Sequence, residues 1–94
     1  MSTYCMLGNY TAEAVKGISP ERTGKADDLI KKFGGKVVSG YALLGSYDLV
    51  LVVDLPGNDQ AVQFSLAMNK LTGISFETLP AVTLAEFDRL SAAT

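Results

Sequence analysis

The stretch LLGSYDLVLVVD, Leu43 to Asp54, decides the fold. From Tyr47 onward it reads as a strand in which Leu49, Leu51 and Val53 point one way, and Asp48, Val50, Val52 and Asp54 the other. A strand of an antiparallel sheet with one wet face alternates apolar with polar residues. This one is apolar on both sides, so both sides must be covered. Gly45-Ser46 is short enough to close a hairpin onto a preceding strand, Lys36 to Leu44. That strand repeats the pattern, with Val37, Tyr41 and Leu43 set against Val38, Ala42 and Leu44.

Working outward, Thr3 to Tyr10 is rich in aromatic and apolar residues and reads as the first strand. Thr11 to Gly17 reads as one helical turn, opened by Thr11 and ended by Gly17. Ser19 is a good N-cap and Pro20 fits the first helical position. Ala26, Leu29, Ile30 and Phe33 then recur at helical spacing. Asp27–Lys31 and Asp28–Lys32 supply i, i+4 pairs, and Gly34-Gly35 stops the helix. After the hairpin, Pro56 to Asp59 reads as a turn in which Asn58 caps a second helix. Ala61, Phe64, Met68 and Leu71 form its apolar stripe, and Gly73 closes it. Ile74 to Leu79 alternates as a fourth strand, and Pro80 suits the end of an edge strand. Thr83 and Glu86 have the spacing of a capping box, opening a short helix that carries Phe87 and Leu90.

The order is β-α-β-β-α-β plus a terminal helix. This is the ferredoxin-like split βαβ of the α+β class: a four-stranded antiparallel sheet with both helices on one face. Right-handed crossovers place strands one and three in the middle. Leaving the second face of such a sheet in water forfeits about 1.5–3 kcal/mol for each large apolar side chain. A contiguous apolar patch of this kind marks an interface. The expected solution is a second copy laid face to face as a dimeric α/β barrel, burying roughly 1,200–2,000 Å² or more. The alternative, a terminal helix folded over the bare face, offers only Phe87 and Leu90 as anchors for four strands.

The 94 residues fit one domain, 1–94, with 48% hydrophobic and 19% charged residues and a net charge of −2. An acidic balance argues against nucleic acid, whose phosphates need clustered cations; Lys31, Lys32 and Lys36 are the densest basic group. No secretory signal is read at the start, and the longest wholly apolar run, Leu49 to Val53, is far short of a membrane span. The lone Cys5 forms no internal disulfide and suits a reducing compartment, so a cytoplasmic location is expected.

Histidine is absent from the chain. That removes Ser-His-Asp and Cys-His nucleophile pairs and the usual zinc ligand sets. No catalytic residue and no cofactor or metal site is expected. Cys5, mid-strand, reads as a small buried hydrophobe. Asp48 has two readings: it satisfies turn N–H groups, or it faces a cleft and accepts hydrogen bonds from a ligand. In the second reading Tyr10, Tyr41 and Tyr47 are amphipathic walls.

YCMLGNY over residues 4–10, TAEAVKGI over 11–18, ERT at 21–23, GYALLGSYD over 40–48 and GISF over 73–76 together resemble the GYD domain. Gly45, Tyr47 and Asp48 stand at its namesake positions. The resemblance runs from about Thr3 to Leu90. It implies a small bacterial or archaeal protein with a ferredoxin-like, dimeric α/β-barrel fold, and it carries no catalytic residues over. A more distant similarity, through Gly45-x-Tyr47-Asp48 and the strand after it, is to the effector-binding domains of leucine-responsive and asparagine-type regulators. Those domains dimerise and bind amino acids near the same hairpin; no DNA-binding helix-turn-helix is read ahead of this one, so a stand-alone sensor is the version expected here.

The expected function is therefore a non-enzymatic homo-oligomeric module that binds or senses a small metabolite near the subunit interface. Two alternatives stand beside it. One is an enzyme resembling the cofactor-independent monooxygenases of the same barrel type, by fold analogy alone. The other is a purely structural self-assembling module.

Overall fold

A computed structural model describes all 94 residues. The elements run β1 (Ser2–Asn9), α1 (Ala12–Lys16), α2 (Pro20–Lys32), β2 (Lys36–Ala42), β3 (Leu49–Leu55), α3 (Asn58–Thr72), β4 (Ser75–Ala81) and α4 (Leu84–Ala92). The sheet is antiparallel throughout, in the order β2-β3-β1-β4. Strands one and three are central, as expected.

One face of the sheet is the core. Tyr4 and Met6 of β1 and Val53 and Leu55 of β3 are buried against Ile30 of α2 and against Ala61, Phe64 and Met68 of α3. The local signals that start the helices are those legible in the sequence. Thr11 Oγ1 accepts from the Ala14 N–H, Ser19 Oγ from Arg22 N–H, and Thr83 Oγ1 from Glu86 N–H. Gly34 and Gly73 follow the ends of α2 and α3 with φ of 82° and 77°, a region that favours glycine.

Several expectations give way. Asn58 is not the cap of α3: Gly57 holds that position without a side-chain bond, and Asn58 Oδ1 accepts the Tyr4 hydroxyl at 2.8 Å. Leu71 is exposed, and Thr72 takes its place in the buried stripe. Thr72 pays no desolvation penalty, because Oγ1 donates to Met68 O and accepts from Ile74 N–H. Asp27 pairs with Lys31 at 2.9 Å, but Lys32 lies over the Phe33 ring instead of meeting Asp28. The capping box is half formed, since the Glu86 carboxylate turns to Arg89.

The largest departure is in β2. Val37 opposes Val53, but Ser39 opposes Val52, a β-bulge that takes up one extra residue. Directly opposed residues share a face. Val37, Gly40 and Ala42 therefore lie on the helical side, while Ser39 and Tyr41 lie on the other. The expected grouping of Val37 with Tyr41 does not hold: Val37 shares its face with Ala42.

The face away from the helices carries Cys5 and Leu7 of β1, Val50 and Val52 of β3, Tyr41 of β2 and Leu79 of β4. Helix α4 does not cover it. No residue of α4 is buried; only Glu86 is partly covered, where the helix begins beside Ser2, Tyr4 and Asn58.

Candidate functional site

The β2–β3 connection brings the residues of the site together from three directions. Gly45 adopts φ 145°, which lets the chain reverse. Leu43 N–H then donates to Asp48 O at 2.8 Å, and Asp48 N–H to Gly8 O at 2.9 Å, so the loop is stitched to the end of β1. The Asp48 carboxylate does the rest: Oδ2 accepts the Tyr10 N–H at 2.9 Å. That N–H lies just past β1, where no ladder partner is left for it.

Beside this seam is a shallow cavity of about 410 Å³, lined by Tyr10, Val15, Ile18, Ala42 and Asp48. Its walls are apolar and its one charge is the Asp48 carboxylate. Tyr10 is held from behind by Arg22, whose guanidinium lies 5.9 Å from the ring centroid and whose Nη1 donates to Ala14 O at 2.6 Å. Arg22 thus clamps α1 against α2 and fixes the position of Val15 and Ile18.

Of the four residues singled out in the sequence, Tyr10 and Asp48 meet here. Tyr47 does not: its hydroxyl donates to the Glu77 carboxylate on β4. That bond, with the Glu77 charge and some burial, raises the Tyr47 pKa above the ordinary phenol value. Tyr41, 67% exposed, lies one strand further out on β2 and borders a different opening.

That opening is a slot of about 450 Å³ between α2 and β2. Thr23, Gly24 and Ala26 form one wall; Val37, Gly40 and Ala42 form the other. Leu49, Leu51 and the core residues Phe64 and Met68 form its floor. Glycines on both walls help to leave it open, and a Cβ at Gly24 would meet no atom within 4 Å. Sequence reasoning passed the slot by, because it depends on the bulge that turns Gly40 and Ala42 toward the helices. No cluster of His, Cys, Asp and Glu side chains forms a metal site. No helix is long and apolar enough to cross a membrane.

Comparison with known proteins adds three findings. The model of the GYD domain matches residues 4–90. The glutamine synthetase and cystathionine beta-lyase binding protein of Thermus thermophilus is 29% identical over 89 residues, covering 92% of this chain and 94% of that protein. The leucine response regulatory protein of Mycobacterium tuberculosis superposes with a TM-score of 0.58 at 10% identity. That match takes in 87% of this chain and 51% of the regulator, so the chain spans about half of the regulator's length. At such low identity the likeness is one of fold.

Proposed function

Since the chain belongs to the GYD domain family, we propose that it is a non-catalytic, homo-oligomeric binding module, paired through its bare sheet face and taking a small ligand beside Asp48. The observation that carries this reading is the uncovered apolar face: Cys5, Leu7, Val50, Val52 and Leu79 form a contiguous surface that no part of the same chain shields. Its charged fringe, Asp54, Lys36 opposite it, and Glu77, is peripheral. Asp54 accepts from the Thr3 hydroxyl at 2.7 Å, and Glu77 is bonded to Tyr47.

The dimensions support a second copy. A compact 10.0 kDa protein exposes roughly 5,200 Å², whereas this chain exposes 6158 Å². Its radius of gyration is 14.1 Å, against about 12.4 Å expected for 94 residues in a compact globule. The excess, about 900 Å², is close to the ~800 Å² that each partner buries in a standard interface.

Within that assembly the Tyr10–Asp48 cavity is the place for a ligand. One carboxylate on an apolar wall suits a small molecule that carries a hydrogen-bond donor or cation on an apolar body. A thermal-shift panel of common metabolites tests this. At least one compound should raise the melting temperature of the wild type and leave that of Asp48→Ala unchanged. A flat response across the panel counts against a small-molecule site.

A second reading is favoured by the name of the Thermus relative, which describes a protein that binds two enzymes. On that reading the paired module docks on a metabolic enzyme through exposed side chains. A purified-component titration against glutamine synthetase, followed by sedimentation, separates the two.

A further inference from the structure

Two apolar features of the chain lie at opposite edges of the sheet. At the β4 edge, α4 presents Leu84, Phe87 and Leu90, spaced i, i+3 and i+6 along one side of a helix; the first two are 82% and 59% exposed. At the β2 edge, on the helical side, the α2–β2 slot has the half-buried Leu49 and Leu51 at its floor, with the buried Phe64 and Met68 beneath them. They cannot meet within one chain. The two edge strands are three spacings of about 4.8 Å apart, and a nine-residue helix is only about 14 Å long. To enter the slot, α4 would have to cross the whole bare face and round the far edge.

A two-fold axis changes the geometry. If two copies lay their bare faces together with the axis running along the strands, the operator carries β2 of one copy beneath β4 of the other. Each free edge then lies beside a free edge, which also shields the unpaired backbone groups that make edges a liability. Helix α4 leaves β4 through only Val82 and Thr83. It therefore starts beside the partner copy's β2 and its open slot.

We infer that α4 is an exchanged arm, whose Leu84–Phe87–Leu90 stripe docks in the α2–β2 slot of a second copy of this chain. The inference rests on the face-to-face dimer proposed above and goes beyond it by assigning the slot an occupant. It also accounts for two features that the single chain leaves without a role: a helix with an exposed apolar stripe and no buried residue, and an apolar slot floored by half-buried leucines. Part of the excess surface belongs to this arm and this slot, so the arm supplies a share of the ~800 Å² that each partner buries in a standard interface.

Cysteine trapping tests the arm. The background is Cys5→Ala, which removes the one native thiol. One chain carries Phe87→Cys and a second, differently tagged chain carries Gly24→Cys, a position with open space for the side chain. After mixing and mild oxidation, a disulfide between the two tagged chains is expected, and a chain bearing both substitutions should form interchain rather than intrachain bonds. Separately, Phe87→Asp should weaken dimerisation about tenfold or more, in line with the loss of a large buried apolar side chain, with unchanged far-ultraviolet circular dichroism. A monomer at micromolar concentration, measured for the unmodified chain by sedimentation, overturns the dimer and the arm together. A dimer that yields no trapped pair and is indifferent to Phe87→Asp overturns the arm alone. An intrachain bond does the same.

Discussion

Tyr47 and Glu77 meet across β1, from a loop and an edge strand. The bond is made by the protonated phenol, so the folded chain holds that proton more tightly than the unfolded one. The raised folded pKa contributes stability that is complete below the unfolded value near 10 and is lost as pH rises through the folded value. A difference titration of phenolate absorbance, wild type minus Tyr47→Phe, should therefore ionise above pH 10. Glu77→Ala should return it toward the ordinary value. No sequence signal could have found this pair, since 30 residues separate its members. Asn58 is similar: its type and its place beside a turn fit a cap, and only the approach of Tyr4 makes it a partner for a phenol instead. Glycines are a contrast in which the surroundings decide the sign. A methyl group at Gly35 would strike the backbone oxygen of Asp54 and lie 2.6 Å from Leu55 Cδ2, whereas one at Gly24 meets nothing. Gly35→Ala should cost about 1–3 kcal/mol through overpacking. Gly24→Ala should stabilise by about 0.5–1 kcal/mol, by relieving a mid-helix glycine. Urea titration of both variants reads this directly.

Helix α3 shows how much an element's periodicity carries. Ala61, Phe64 and Met68 were legible as its inner stripe because apolar residues at helical spacing have no other cheap explanation. The stripe's last member was not, because Leu71 and Thr72 both continue the spacing. The outcome turned on whether Thr72 could satisfy its hydroxyl locally, which it does. The burial difference along one helix predicts a contrast. Phe64→Ala, at a fully buried ring, should cost about 3–5 kcal/mol. Leu66→Ala, 58% exposed, should change the stability of the isolated subunit by no more than about 0.5 kcal/mol. Denaturant midpoints at equal m-value check both. In β2 the periodicity misled for a physical reason. Val37 and Val38 are both apolar, so nothing marks which of them the bulge sets aside. A slip of one residue exchanges every later side chain between faces. Here the bulge sets Tyr41 on the bare face opposite Val50, apart from the Tyr10–Asp48 cavity, whose β2 wall is Ala42.

At the scale of the whole molecule, the two-faced pattern in LLGSYDLVLVVD was the most informative feature of the chain, and it remains the main constraint on assembly. Only 12 of 94 residues are buried, which is a thin core for one subunit; domains of this size are marginal by themselves. If a second copy supplies the missing burial, stability depends on protein concentration, because dissociation is coupled to unfolding. The melting temperature should then rise with concentration from the low micromolar range upward. Val52 lies at the centre of the bare face, between Cys5 on β1 and Ser39 on β2. Val52→Asp places an unpaired carboxylate there in each copy, and burying such a charge costs several kcal/mol. It should raise the dimer dissociation constant by more than about a hundredfold, while α2 and α3, on the other face, keep their packing and their circular dichroism. The variant's melting temperature should be lower and no longer depend on concentration. A wild type that melts at one temperature across a hundredfold dilution, with a sedimentation coefficient of a ten-kilodalton particle, would mean that this face tolerates water, and the hydrophobic argument built on it would fail.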